Sequence, residues 1–269
     1  MAVLSTFGIP PLGREASRPV TRRFAQALGQ RLARPVLLEE APTSADLAAA
    51  LADGRVDFGW LPPVEAWQLA RSAGVEVVLQ TVRGDGGGYH AALFSREDGS
   101  VTSVAGLAGR NVAWVHRRSA SGYLVPAAHL REAGVATRRP AYFAGSHERV
   151  VQAVAAGRSV AGATFATVDP TTGQVTSAGW TCYPPKSPTA FRVLIALGPL
   201  PTDAICAWPG TGHSLQEQLT EALQAMAEDD KDAVLLDTIF GTSRFVPPDL
   251  GAAQVLVRAM TCLQQPVPC

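Results

Sequence analysis

The sequence predicts an α/β protein of two lobes, and three observations carry that expectation. Apolar runs of strand length alternate with segments of helical spacing along nearly the whole chain. The 269 residues suffice for two lobes of roughly 100–150 residues each. A glycine-rich stretch, "RGDGGGYH", separates a first alternating series from a second and reads as a flexible crossing.

In chain order, Ala2 to Phe7 reads as a strand that runs into a Gly/Pro turn. Glu15 to Leu32 has helical spacing, with Phe24, Leu28 and Leu32 on one stripe. "PVLLEEA" is a short strand. Thr43-Ser44 caps the helix "ADLAAALADG", which closes at Gly54. "RVDFGWL" is a buried strand, Pro62-Pro63 opens the helix "VEAWQLARSAG", and "VEVVLQTV" is the next strand. The glycines that follow precede a strand and no Gly-Lys-Ser/Thr, so a phosphate loop is set aside. From Tyr89 to about Leu194 a second βαβ series runs through "GYHAALFSRE", "RNVAWVH", the helix after "SASG", "PAYFAG", "SHERVVQAVAAG" and "VAGATFA". Residues 168–188 turn to Thr, Gly, Ser and Pro, a loop or short hairpin. "FRVLIALG" is a strand that carries the chain back. "SLQEQLTEALQAMAEDD" is an amphipathic helix with Leu215, Leu219 and Leu223 or Met226 inward, and two further helices end the chain. No repeat of 20–50 residues is evident.

Composition excludes several classes. Acids and bases balance at 23 each, against the basic face that a nucleic-acid binder needs. Charged residues are 17% of the chain, but no run of about 18 uninterrupted apolar residues predicts a membrane span. Lys186 and Lys231 are the only lysines, a bias that codon usage explains. Cys182, Cys206, Cys262 and Cys269 form no C-x-x-C pair, so no zinc ribbon or thioredoxin motif is expected. Cys262 and Cys269 can close a small loop in an oxidising compartment, or all four can be free thiols. "MAVLSTFGIPPLG" lacks a basic n-region and a small-residue cleavage site. The expectation is a cytoplasmic chain or one whose export signal has been removed.

Three segments can carry chemistry. "HRRSASGYLVPAAHLREAG" (residues 116–134) places small hydroxyl residues and a glycine where a helix begins, because Pro126 belongs in a first turn. Free amides and the positive end of the helix dipole favour an anion there, and Ser119 and Ser121 add hydroxyls. Ser121 can equally be a plain helix cap. Gly145-Ser146-His147 opens a second helix, either as a donor cluster or as a structural cap. Asp203, in a turn between prolines, can pair with a cationic group or cap the turn.

In order and spacing, "GYHAALFSRE…LAGRNVAWVHRRSASGYLVPAAHLREAG…AYFAGSHERVVQAVAAG" resembles the phosphate/phosphite/phosphonate solute-binding proteins of ABC importers, the PhnD-like group. "ADLAAALADGRVDFGWLPPVEAW", "LPTDAICAWPG" and "LLDTIFGTSRFVPPD" are similar to that group's first-lobe, return and closing segments, so the likeness spans nearly the whole chain. It implies the type II periplasmic-binding-protein fold, with two Rossmann-like lobes on a two-strand hinge. Lobe 1 is then 1–85 plus 197–269, lobe 2 is 86–196, and the ligand cleft lies between them.

The resemblance also implies ligand contacts. Phosphonate oxygens would sit on Ser119, Ser121 and the amides of Ala120 to Gly122, with Gly122 letting a ligand approach the backbone. Tyr89, Ser146 and His147 would add hydrogen bonds, and Asp203 would face an amino group. Arg117, Arg118 and Trp60 are further candidates. The implied partners are a small oxyanion and an ABC permease, with no nucleic acid, no membrane span, no metal and no cofactor, for a monomer outside the cytoplasm. Three positions depart from the pattern. Ala120 replaces a hydroxyl residue, Ser159-Val160 stands where Val-Asp is usual, and His116-Arg117-Arg118 adjoins the turn. That trio can supply the lost donor for a more highly charged anion, or lie on the surface. An enzyme or a sensor on the same scaffold is the alternative. No Ser-x-x-Lys, Gly-x-Ser-x-Gly or metal-spaced His/Cys cluster supports the enzyme.

Overall fold

A computed structural model describes residues 5–10, 17–82, 88–186 and 190–265. The chain divides into two compact units, Met1–Gly86 with Pro201–Asp249, and Gly87–Leu200 with Leu250–Cys269. The glycine crossing assigned to residues 83–87 and the Gly/Pro turn at 11–13 lie outside the described residues, as does Cys269.

The first unit begins β1 (Ser5–Ile9), α1 (Ser17–Arg31), β2 (Val36–Glu40), α2 (Ser44–Ala52), β3 (Phe58–Leu61), α3 (Pro63–Ser72) and β4 (Glu76–Thr81). The second contains β5 (Gly88–Arg96), β6 (Val112–Trp114), α4 (Val125–Glu132), β7 (Tyr142–Phe143), α5 (His147–Ala155), β8 (Ala161–Val168), β9 (Val175–Ala178), α6 (Gly179–Cys182) and β10 (Phe191–Leu197). The chain then returns to the first unit through β11 (Ala204–Ala207), α7 (His213–Glu228), α8 (Asp230–Phe240) and β12 (Phe245–Val246), before α9 (Leu250–Gln264).

In the first unit the sheet order is β12-β4-β11-β3-β1-β2. The predicted stripe of α1 is buried, with Phe24, Leu28 and Leu32 packed on Phe7, Phe58 and Phe240. The rings of Phe7, Phe24 and Phe240 meet edge to face, which their quadrupoles favour. Leu219, Leu223 and Met226 of α7 join this core, while Leu215 is only partly buried. Leu47, Leu51, Leu61 and Cys206 form a separate cluster with residues of α2 and α3. Cys206 is fully buried, and that burial pushes its thiol strongly up, keeping it neutral. Cys182 and Cys262 are free thiols too.

In the second unit the order is β10-β5-β8-β6-β7, with β9 paired to β8 as a hairpin. β6 runs parallel to both β7 and β8. The crossover helices therefore leave one edge of the sheet and fall on opposite faces. Leu130 of α4 packs with Leu93, Val112 and Trp114. Val150, Val151 and Val154 of α5 pack with Phe94, Trp180 and Phe191. Ligands bind at such edges, where helices depart to both sides.

One boundary differs from expectation. The expectation put 197–269 in the first lobe, whereas Leu250–Cys269 groups with the second unit. α9 lies against α4, and Arg131 Nη1 donates to the Gln265 carbonyl at 2.9 Å. Ala252, Ala253, Leu256, Ala259 and Met260 are buried. An amphipathic pattern reveals such a stripe without saying which surface it covers.

Candidate functional site

The segment after β6 folds against its own strand. Ser119 caps the helix that follows, and its Oγ accepts from the Gly122 N–H at 3.0 Å. The cap is thus Ser119 rather than Ser121. Ala120–Leu124 forms one wide π turn, in which Leu124 N–H donates to the Ser119 carbonyl and Val125 N–H to that of Ala120. The wide turn resolves the position of Pro126, which lies in the first turn of α4 but six residues after Ala120. In a continuous α-helix the proline ring clashes with the carbonyl four residues back, here Gly122. That carbonyl instead accepts from the Val115 N–H at 3.0 Å. Gly122 itself faces Val115: a Cβ there would lie 2.2 Å from Val115 Cγ2. Packing against Val115 is enough to require the glycine.

Alongside, the chain leaving β7 turns at Gly145, whose φ of +92° suits glycine. Ser146 caps α5, its Oγ accepting from the Arg149 N–H at 3.2 Å, and His147 is the first helical residue. Gly145 N–H donates to the Val115 carbonyl at 2.9 Å and Ala144 N–H to that of Trp114 at 2.8 Å. The two helix starts are therefore neighbours within one unit. The first amides of each helix have no carbonyl within their own helix to bond. Glu148 sits in the first turn of α5, where it accepts from Gln152 Nε2 at 3.1 Å along the exposed flank.

Side chains converge on these starts. Ser121 is 1% exposed, and its Oγ lies 2.8 Å from the Tyr89 hydroxyl of β5. His147 Nδ1 lies 2.9 Å from Thr164 Oγ1 on β8. Ser119, Ala120, Ser121, Gly122, Tyr89, Ser146 and His147 are thus gathered on the second unit. Thr164 went unnoticed in the sequence, where an alternating strand residue in "VAGATFA" carries no signal of its partner. Ser159, which stands where the pattern has valine, is buried and receives Asn111 Nδ2 at 3.3 Å.

The flanking cations have other surroundings. Arg117 places its guanidinium 5.1 Å from the Phe143 ring centre. It borders, with Trp114, Tyr123 and Leu263, a cavity of about 560 Å³ beside α4. Arg118 N–H donates to His116 Nδ1 at 3.2 Å. Asp203 and Trp60 belong to the first unit. The Asp203 carbonyl accepts from Thr81 N–H at 2.9 Å and from Thr81 Oγ1 at 3.1 Å. Trp60 packs edge-on against Phe240 at 5.1 Å, and its buried Nε1 finds no acceptor among the described residues.

No curated protein sequence matches the chain. Solved structures share its fold. The protein XAC2383 of Xanthomonas citri, bound to ATP, is 22% identical with a TM-score of 0.75, and 97% of each chain is covered. The binding-protein component of an ABC phosphonate transporter from Pseudomonas aeruginosa is 18% identical with a TM-score of 0.66, over 98% of this chain and 87% of its own. PhnD1 of Prochlorococcus marinus, in complex with methylphosphonate, is 15% identical with a TM-score of 0.66, over 97% and 99%. These likenesses establish the type II periplasmic-binding-protein fold. The family model for the phosphonate periplasmic substrate-binding proteins of ABC transporters matches residues 9–252, and the chain belongs to that family.

Proposed function

We propose that the protein captures a small phosphorus oxyanion, a phosphonate or phosphate, on the paired helix starts of the second unit and delivers it to an ABC permease. The carrying observation is that the Ser119–Gly122 turn and the Ser146–His147 cap adjoin through the Gly145–Val115 hydrogen bond, with Ser121, Tyr89 and His147 beside them. First-turn amides and helix dipoles replace the hydration of such an anion. Each charge-assisted hydrogen bond is worth roughly 1.5–3 kcal/mol. Four or five exceed the ~8 kcal/mol of micromolar affinity before the costs of association. The family resemblance implies that Asp203 takes the amino group of an aminophosphonate.

The site binds rather than catalyses. Thr164, whose hydroxyl lies beside the imidazole, is fully buried and cannot reach a substrate as a nucleophile. The family's place is the periplasm, and the protein acts there as a monomer without a cofactor. A second reading, a polyphosphate ester as ligand, is favoured by His116-Arg117-Arg118 next to the turn and by the ATP on the Xanthomonas protein.

Calorimetric titration of ligand-free protein with phosphate, phosphite, methylphosphonate, 2-aminoethylphosphonate and ATP tests both. Saturable heat with a phosphonate or phosphate supports the first reading, and heat with ATP alone supports the second. Silence with all five overturns the assignment. Asp203→Asn should weaken 2-aminoethylphosphonate and leave methylphosphonate unchanged.

A further inference from the structure

We infer that the cavity beside α4 is a second binding site, for a small aromatic carboxylate, set apart from the oxyanion seat. The cavity holds about 560 Å³, within the roughly 300–1,000 Å³ of small-molecule sites. Its described wall belongs wholly to the second unit, running from Trp114 to Ala141 and closing with Leu263 and Gln265. Trp114, Leu130 and Val135 give it an apolar floor, and the first two are buried. Trp114 meets Tyr123 edge-on with ring centres 5.5 Å apart, and Tyr123 meets Phe143 in the same way at 5.0 Å. A ligand ring can extend that series by the same edge-to-face geometry.

The charge around this floor has one sign. Arg117, Arg131 and Arg139 stand in the wall, and no described carboxylate does. The whole chain balances acids and bases at 23 each, so three bases without an acid are a local departure. Arg117 rests its guanidinium on the Phe143 ring, and Arg131 holds the Gln265 carbonyl. Neither Arg117 nor Arg139 forms an ion pair among the described residues. A planar guanidinium matches a carboxylate through two parallel hydrogen bonds. Cationic rim and apolar floor together select an anion with an apolar body. Backbone alternation keeps this site away from the oxyanion seat. Trp114 packs with Leu130 of α4, whereas Val115, the next residue, packs with the α5 core. Gly122 of the π turn lies on Val115, and Tyr123 lies on Trp114. Ser119, Ser121, Ser146 and His147 are not part of the cavity wall.

Amide NMR of the full-length protein during a titration with phenylacetate is the test. The amides of Tyr123, Ala127, Arg131 and Val135 and the Trp114 indole N–H should move together and saturate with a dissociation constant of about 1 mM or tighter. Phenylacetamide, which lacks the charge, and acetate, which lacks the ring, should each bind about tenfold more weakly or worse. Arg139→Gln, at an exposed position, should weaken phenylacetate about fivefold. Ala127→Leu, which fills the cavity, should weaken it more than about tenfold. Both variants should respond to methylphosphonate as wild type does, and methylphosphonate should not displace phenylacetate. Absence of saturable shifts at these groups overturns the inference. So does equal binding of phenylacetamide, or wild-type affinity in Arg139→Gln, which also decides if Ala127→Leu does not fold. Displacement by methylphosphonate with shifts at Ser121 and His147 would put phenylacetate in the oxyanion seat and overturn it as well. Silence toward methylphosphonate beside saturable phenylacetate shifts would remove the oxyanion reading alone, so the two failures differ.

Discussion

Gly122 shows how a single missing side chain shapes the site. With Val115 Cγ2 2.2 Å from where a Cβ would stand, Gly122→Ala must push the π turn off its strand. Overpacking of this kind costs about 1–3 kcal/mol. Shortening the neighbour should relieve it, so Gly122→Ala and Val115→Ala should couple by about 1 kcal/mol in a double-mutant cycle followed by urea unfolding. Strictly additive losses would mean that the turn is held elsewhere. Ser121→Ala should leave stability nearly unchanged and weaken phosphonate binding about tenfold by calorimetry. The hydroxyls, His147 and the small-residue turn were legible because their types and order form a pattern along the chain. Val115 and Thr164 were not. Their roles come from contacts between strands and turns far apart in sequence, and valine and threonine are ordinary in strands and turns.

At the level of elements, α5 separates capping from anion binding. Ser146 caps it, and aspartate caps as well as serine. Ser146→Ala should therefore cost about 1 kcal/mol of stability. Ser146→Asp should preserve stability, yet its carboxylate should repel the ligand and lower affinity below that of the alanine variant. Equal affinities in the two variants would place the anion away from α5. α8 supplies the pH counterpart. Asp229 accepts from the N–H groups of Asp232 and Lys231, which hold its carboxyl below the usual value. A lowered folded value means that its contribution is complete above the usual carboxylate value of about 3.9 and is lost as pH falls through the folded one. Asp229→Asn should remove that part of the acid dependence, measured by denaturation across the same range. Helices with a clear stripe, such as α1 and α7, were legible from spacing. The π turn was not, because a proline a few residues inside a helix start reads as an ordinary first turn. β9 was open between loop and hairpin because Thr, Gly and Ser serve both.

For the whole molecule, the family and the alternation of strands and helices were legible, while the route of the C-terminus was not. α9 has a buried stripe suited to either unit, and only its seat beside α4 decides. Leu256→Asp, a charge placed in a fully buried position, should lower the protection of amides at Phe94 and Val151 by several kcal/mol in hydrogen exchange. Amides at Phe7 and Leu219 in the first unit should be far less affected. The reverse pattern would return α9 to the first unit. The central claim, an oxyanion seated on two neighbouring helix starts, is tested most directly by amide NMR during a titration with methylphosphonate. The account predicts that the amides of Ala120, Ser121, His147 and Glu148 move furthest and saturate together with the calorimetric heat. Saturable heat with those four amides unmoved would contradict it.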